Sequence, residues 1–414
     1  MITWVGPLLA LASSPTAASA QEQPAPAETM PAAQAAPVED VTPPEEEPAV
    51  RVEPYGLLAA SFFWQSGPLA NADAPIAVLP GSGASLGATA RQSRLGLRAE
   101  SGPLASALDA ERAQVVAEID FFGGWYADND ITYAMSHPRL RLFYARLSYA
   151  AVDVVAGQDW MVFAPLNPVS VVHVAVAGFQ GSGNAWARLP QARVELRAGG
   201  LSLRAAVLAP ASAGPVDPAT EPGLVVGRRP GNADRSETPS LQARAAYALP
   251  LGDRSLVLGV SGHYAREEVT FGAMPETSVV PSWGVALDFE LPLVPWLAIQ
   301  GELLTGANLD AFFVNADVLD DEPVSVLGGW AQLSFRMDPL NVHVGGGLED
   351  PSAADGQVLP DGAIDQNGAV YIAVLAHAGP LTAGLELSQL WTRRAGTPET
   401  RDATHIALGS LLTF

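Results

Sequence analysis

Val155-Ala-Gly-Gln-Asp-Trp-Met-Val-Phe163 is where this chain stops reading as a strand. The strand-like run Val152 to Trp160 breaks off, and residues 161–187 keep no lasting period. They pass through Ala164-Pro-Leu-Asn-Pro168, a β-branched stretch and Gly178-Phe-Gln-Gly-Ser-Gly183. A new strand-like run then opens at Arg188-Leu-Pro-Gln-Ala-Arg193. A stretch this long without periodicity, inside a compact domain, is functional or marks a wrong assignment. It fits if 161–187 folds into the lumen of a transmembrane β-barrel.

Outward from that loop, the period is two from Tyr55 to the C-terminus. Leu201-Ser-Leu-Arg-Ala-Ala-Val207 and Trp283-Gly-Val-Ala-Leu-Asp-Phe289 show one apolar face and one small, polar or charged face. About sixteen such segments can be marked, from 55–65 and 91–100 to 381–390 and 403–414, which is a porin-like number. Their connections alternate. Gly199-Gly200, Met337-Asp-Pro339 and Gly379-Pro380 are short; 66–90, 123–138, 161–187, 210–239, 306–324 and 349–367 are long. Residues 101–112 break the rule, being longer than a tight turn. Short turns at one end and long loops at the other are the mark of an outer-membrane barrel. The expected fold is therefore all-β, a transmembrane antiparallel β-barrel of about 16 strands over 54–414 with an inward-folded constriction loop.

The last strand, Ile406-Ala-Leu-Gly-Ser-Leu-Leu-Thr-Phe414, alternates back from a terminal aromatic, as the address read by the barrel assembly machinery does. Phe62, Phe63, Trp64, Phe121, Phe122, Trp160, Trp296, Trp391 and Phe414 are expected in girdles at the edges of the outer-membrane lipid.

Residues 1–20 read as a signal peptide, with the apolar core Leu8-Leu-Ala-Leu-Ala12 and Ala18-Ser-Ala20 before Gln21, though Met-Ile-Thr carries no basic residue. Residues 21–53 are Pro-, Ala- and Glu-rich and read as a disordered periplasmic segment. No apolar run reaches the ~20 residues of a spanning helix. Cysteine and lysine are absent, which removes disulfides, thiolate nucleophiles and a Walker phosphate loop. His137, His173, His263, His343, His377 and His405 are scattered without ligand spacing, so no metal, cofactor or enzyme activity is expected. No basic stripe suggests nucleic acid.

Three short motifs carry a resemblance. Arg91-Gln-Ser-Arg-Leu-Gly-Leu-Arg98, Val155-Ala-Gly-Gln-Asp-Trp160 and Arg188-Leu-Pro-Gln-Ala-Arg193 resemble successive signatures of the DcaP-like porins. The resemblance implies a homotrimer of sixteen-stranded outer-membrane channels for small organic anions. It also implies that 161–187 is the third extracellular loop, which narrows the pore. Asp159 stands where a small hydroxyl residue is expected.

Strand parity gives the lumen wall. With Leu95 and Leu97 outward, Arg94 and Arg98 point in; with Ala192, Val194 and Leu196 outward, Arg193, Glu195 and Arg197 point in. Arg204 and Arg244 follow. Arg146 lies on segment 139–150, whose mixed parity suggests a bulge. Asp288, Glu290, Glu302 and Glu386 are inward acids, mostly on later strands. An arginine wall opposite an acidic wall would set a field across the constriction, whereas inward arginines paired with acids would only fill a polar lumen. The net charge of −22 argues against a simple anion channel, but most of the excess acid lies in predicted loops, and the local field governs selectivity. The expected solutes are small and hydrophilic, carboxylates first. Arg94, Arg98, Arg146, Arg193, Arg197, Arg204, Arg244, Asp159, Asp288 and Glu302 are the expected pore-lining residues. The competing reading is a structural or adhesion barrel with a plugged lumen.

Overall fold

The structure is a computed structural model that describes residues 49–123, 137–211, 232–271, 276–319, 321–354 and 356–414. The signal-peptide reading, nearly all of the Pro-rich segment and most of the two loops 123–138 and 210–239 lie outside these residues.

The chain forms strands β1 (Val50–Gln65), β2 (Ser85–Thr89), β3 (Arg94–Ser101), β4 (Arg112–Gly123), β5 (His137–Ser148) and β6 (Val152–Trp160). Next come β7 (Arg188–Ala198), β8 (Leu201–Leu208), β9 (Ser240–Leu251), β10 (Arg254–Phe271), β11 (Glu276–Val294) and β12 (Leu297–Ala307). A small ribbon, β13 (Val318–Leu319) with β14 (Glu322–Pro323), stands apart. The rest are β15 (Ser325–Met337), β16 (Leu340–Ser352), β17 (Ile364–Ala378), β18 (Leu381–Arg394) and β19 (Arg401–Thr413). Each barrel strand pairs antiparallel with its neighbours, and β1 closes on β19 from Leu57↔Thr413 to Gln65↔His405. β2 and β3 pair with the upper and lower parts of β1 and share one position, so the closed barrel has sixteen staves. Closure leaves no unpaired sheet edge, which a bilayer requires.

The alternation that marks the strands in the sequence becomes lipid-facing and lumen-facing sides. Leu95, Leu97, Val194, Leu196, Leu303, Leu385, Leu387 and Leu408 are exposed on the outside, while Arg193, Glu195, Glu302 and Glu386 are buried inside. In water an apolar belt of this extent would demand covering; in a bilayer the acyl chains cover it. The suspected bulge falls at Arg141, which β4 skips between Glu118↔Leu142 and Ile119↔Leu140. The long turn 101–112 holds a short helix, α1 (Gly102–Ala107), whose first free N–H groups are met in part by the Ser101 hydroxyl, accepting from Leu104 N at 3.3 Å.

Two expectations change. β1 begins at Val50 and pairs to β3 from Val50↔Ser101, so Arg51 and Glu53 belong to the barrel and not to the Pro-rich segment. The girdle is also mixed. Phe62, Trp64, Trp296 and Phe414 face outward, but Phe63 is buried inside against His405, and Phe122 and Trp160 pack on the inner core. A period of two cannot say which of three consecutive aromatics, Phe62-Phe63-Trp64, takes the odd face.

Closure at the C-terminus gives a first prediction. Gly56 N donates to Phe414 O at 2.9 Å, Phe414 N donates to Gly56 O at 3.2 Å, and the Phe414 ring lies over Gly56, where a Cβ would not fit. Deleting Phe414 removes the last rung of the seam and the terminal aromatic together. Folded barrel in the outer membrane should fall several-fold while precursor accumulates; an unchanged heat-modifiable band on a gel would show Phe414 to be incidental. The strand ends also fix a topology. Cysteines placed at Ser82 and Val358, both exposed in long loops, should react with an impermeant thiol reagent on intact cells. Cysteines at Gly199 or Gly379 should not, and equal labelling of both sets would contradict the orientation.

Candidate functional site

Residues 161–187 run inside the barrel and pack against its inner wall. Met161–Ala164, Val176, Ala177 and Ala185–Ala187 form one buried cluster with Leu208, Leu304, Leu309 and Phe312. The loop carries no Asp, Glu, Lys or Arg, and His173 is its one titratable side chain. A neutral loop without regular structure must place its backbone N–H groups elsewhere, and inward side chains of the wall take them. Gln242 Oε1 accepts from Val162 N at 2.8 Å and Phe163 N at 3.1 Å. Ser261 Oγ accepts from Ala164 N and Gln332 Oε1 from Val169 N. Three carboxylates do the same: Glu302 accepts from Leu166 N at 2.7 Å, Glu386 from Val171 N at 3.1 Å and Ser170 Oγ at 2.7 Å, and Glu349 from Gly183 N at 3.3 Å.

The loop tip needs glycine. Gly183 has φ +96°, and a Cβ there would overlap the backbone of Gly329 and Leu348; the Phe179 ring rests on Gly345 and Gly347. The glycine runs Gly328-Gly329 and Gly345-Gly-Gly347 are thus the seat of the tip. Asn367 Nδ2 ties it down through Gly181 O at 2.6 Å and Ser182 Oγ at 3.0 Å.

Two further loops join the insert. In 66–84, between β1 and β2, Ala72, Asp73, Ala74, Ala77 and Val78 are buried. In 308–324, Phe312 and Val314 are buried, and Phe313 stacks on Trp186 with ring centroids 4.7 Å apart. Neither was legible as inward-folded in the sequence, because each is as polar and turn-rich as a surface loop.

The expected wall residues divide into groups. On the arc β3–β9, Arg193 pairs with Asp159 and Glu195, both at 2.7 Å, and Arg244 on β9 reaches across to Asp288 on β11 at 2.5 Å; all of these side chains are buried. Arg146 and Arg197 share Asp153 at 2.8 and 2.7 Å, yet keep 25% and 40% of their side chains exposed. Arg204 is 36% exposed and 3.9 Å from Glu195; Arg94 is 23% exposed and 4.0 Å from Glu118. Arg98 lies 5.6 Å over the Tyr55 ring. Glu302, expected to line the pore, is covered by the loop it anchors.

Three arginines outside that expected set, Arg139, Arg141 and Arg188, each donate to Ala175 O at 2.9 to 3.0 Å. Arg139 and Arg141 also pair with Asp120, while Arg188 packs over Trp160 and Trp186. The bulge at Arg141 hides Arg139 and Arg141 from a parity argument, and Arg188 has the opposite parity to Arg193 on β7. On β3–β9 arginines outnumber carboxylates, whereas the β11–β18 arc carries Asp288, Glu290, Glu302, Glu349 and Glu386. The two arcs thus carry different numbers of arginines and carboxylates. What parity does not predict is that backbone amides of the loop spend the acidic wall's acceptors.

No protein-family model matches the chain, and no curated protein matches it in sequence. Solved structures do. The outer-membrane channel DcaP of Acinetobacter baumannii aligns with a TM-score of 0.67 at 14% identity, over 88% of this chain and 98% of its own. An anion-selective porin from Comamonas acidovorans gives 0.54 at 14% identity, over 88% and 100%. OmpT of Vibrio cholerae, in its trimer form, gives 0.53 at 12% identity, over 89% and 100%. At such identities the likeness establishes the fold alone, the closed sixteen-stranded antiparallel β-barrel that these channels share.

Proposed function

We propose that the chain is an outer-membrane porin that lets small hydrophilic solutes diffuse passively, with small organic anions, carboxylates above all, preferred over cations. The observation that carries the preference is the unequal covering of the two walls. Loop amides occupy Glu302, Glu349 and Glu386, while Arg146, Arg197 and Arg204 remain partly exposed to the lumen. Each guanidinium stays charged at any relevant pH and offers paired donors that match a carboxylate. Two neighbours of the same fold bear on the reading, one described as anion-selective and one in trimer form. A homotrimer embedded in outer-membrane lipid, delivered by the barrel assembly machinery, belongs to the same proposal, as does a secreted precursor cut after residue 20.

The depth to which three loops pack favours a second reading, a structural or adhesion barrel with a closed lumen. Proteoliposome swelling separates the two. Vesicles containing the protein should swell faster in small carboxylates than in amines of equal size. No swelling in either, with folded barrel present, would favour the plugged barrel; faster swelling in the amine would end the anion reading.

A further inference from the structure

The motif Arg91-Gln92-Ser93 sits where the second stave is interrupted, between β2 and β3, and its three side chains divide the work. The Ser93 hydroxyl stands in for the missing ladder, accepting from Ala59 N at 2.9 Å and donating to Ala59 O at 3.2 Å, so the wall stays hydrogen-bonded across the gap. Arg91 and Gln92 are thereby released from the ladder toward the lumen. Arg91 forks onto Asp73, Nε to Oδ2 at 2.6 Å and Nη2 to Oδ1 at 2.5 Å, with a further bond to Asn71 Oδ1 at 2.9 Å. Asp73 is fully buried. Gln92, 4% exposed, uses every hydrogen-bonding position of its amide. Nε2 donates to Asp73 O at 2.9 Å and to Val172 O at 2.7 Å, and Oε1 accepts from Val174 N and Ala175 N, both at 2.9 Å.

One side chain from the wall thus holds the loop 66–84 and the loop 161–187 at once. We infer that Gln92, with the Arg91–Asp73 pair, is the latch that fixes both loops as a single constriction, and that it therefore sets the size limit of the channel. The inference rests on the channel reading. No other residue type reproduces this set of bonds: glutamate lacks the two donors, leucine lacks donors and acceptor, and asparagine is one methylene short.

The test compares wild type, Gln92→Leu, Gln92→Glu and Asp73→Asn as full chains in planar bilayers. Single-channel conductance and exclusion of neutral sugars of increasing size are read alongside heat-modifiability of the barrel. Gln92→Leu should raise conductance at least about twofold and admit larger sugars with the barrel still heat-modifiable, because pore geometry sets both readouts. Gln92→Glu, which keeps the acceptor for Val174 and Ala175, should fall between, and Asp73→Asn should loosen the 66–84 loop alone with a smaller rise. Wild-type conductance and size limit in a folded Gln92→Leu barrel overturn the latch. If that variant fails to assemble, wild-type behaviour in both Gln92→Glu and Asp73→Asn overturns it. A silent wild type with a conducting Gln92→Leu would remove the channel reading and leave the latch standing.

Discussion

Replacing Arg197 and Arg204 together by glutamate should turn the channel toward cations, shifting the anion-to-cation permeability ratio by ~10-fold or more, about 1.4 kcal/mol in relative barrier. Both side chains face the lumen by parity and keep 40% and 36% of their area exposed. Their removal leaves the wall's other pairs intact, because Asp153 keeps Arg146 and Glu195 keeps Arg193. Four units of charge change at a surface that borders water in a confined lumen, where a charge acts more strongly than in bulk solvent. The zero-current potential in a salt gradient measures this directly. A permeability ratio within error of wild type would mean that these arginines border a dead-ended vestibule and not the permeation path.

The second large effect is steric. Gly183→Leu places a side chain against the backbone of Gly329 and Leu348 at a φ that favours glycine, at a cost of about 3 kcal/mol or more. The wall cannot yield, because β15 and β16 are locked in ladder from Ser325↔Ser352 to Met337↔Leu340. The tip must therefore lift, breaking the bonds from Gly183 N to Glu349 and from Asn367 to Gly181 O. Phe179, now buried at 6% exposure, should become a chymotrypsin site in detergent-solubilised protein. Cleavage at a wild-type rate would show that the seat does not hold the tip.

Most strand positions, their alternation and the inward course of 161–187 were legible in the sequence; β2, inside the expected loop 66–90, and the start of β1 at Val50 were not. The reason is physical: a lipid-facing side and a watery side leave a period of two, and a long aperiodic stretch between such strands has few places to go. The inward arginines Arg193, Arg197, Arg204 and Arg244 followed from the same rule. What the sequence did not reveal depends on contacts between distant segments. Gln92, Gln242 and Gln332 are neutral and unremarkable in sequence, yet they receive the loop's backbone. Glu302 and Glu386 read as half of a transverse field, but each is an acceptor for loop amides. Pairing was legible only as an alternative; Arg193 with Asp159 joins residues 34 positions apart, and Arg244 with Asp288 joins residues 44 apart. The bulge was suspected from mixed parity, but Arg139 and Arg141, which it turns toward Ala175, were not.

The central claim is that the loops leave a water-filled path beside the arginine arc. Reconstituting the full chain in a planar bilayer under a salt gradient tests it most directly. The account predicts discrete conductance steps and a zero-current potential on the anion side. Folded barrel that inserts without conductance, or steps with a potential on the cation side, would contradict it.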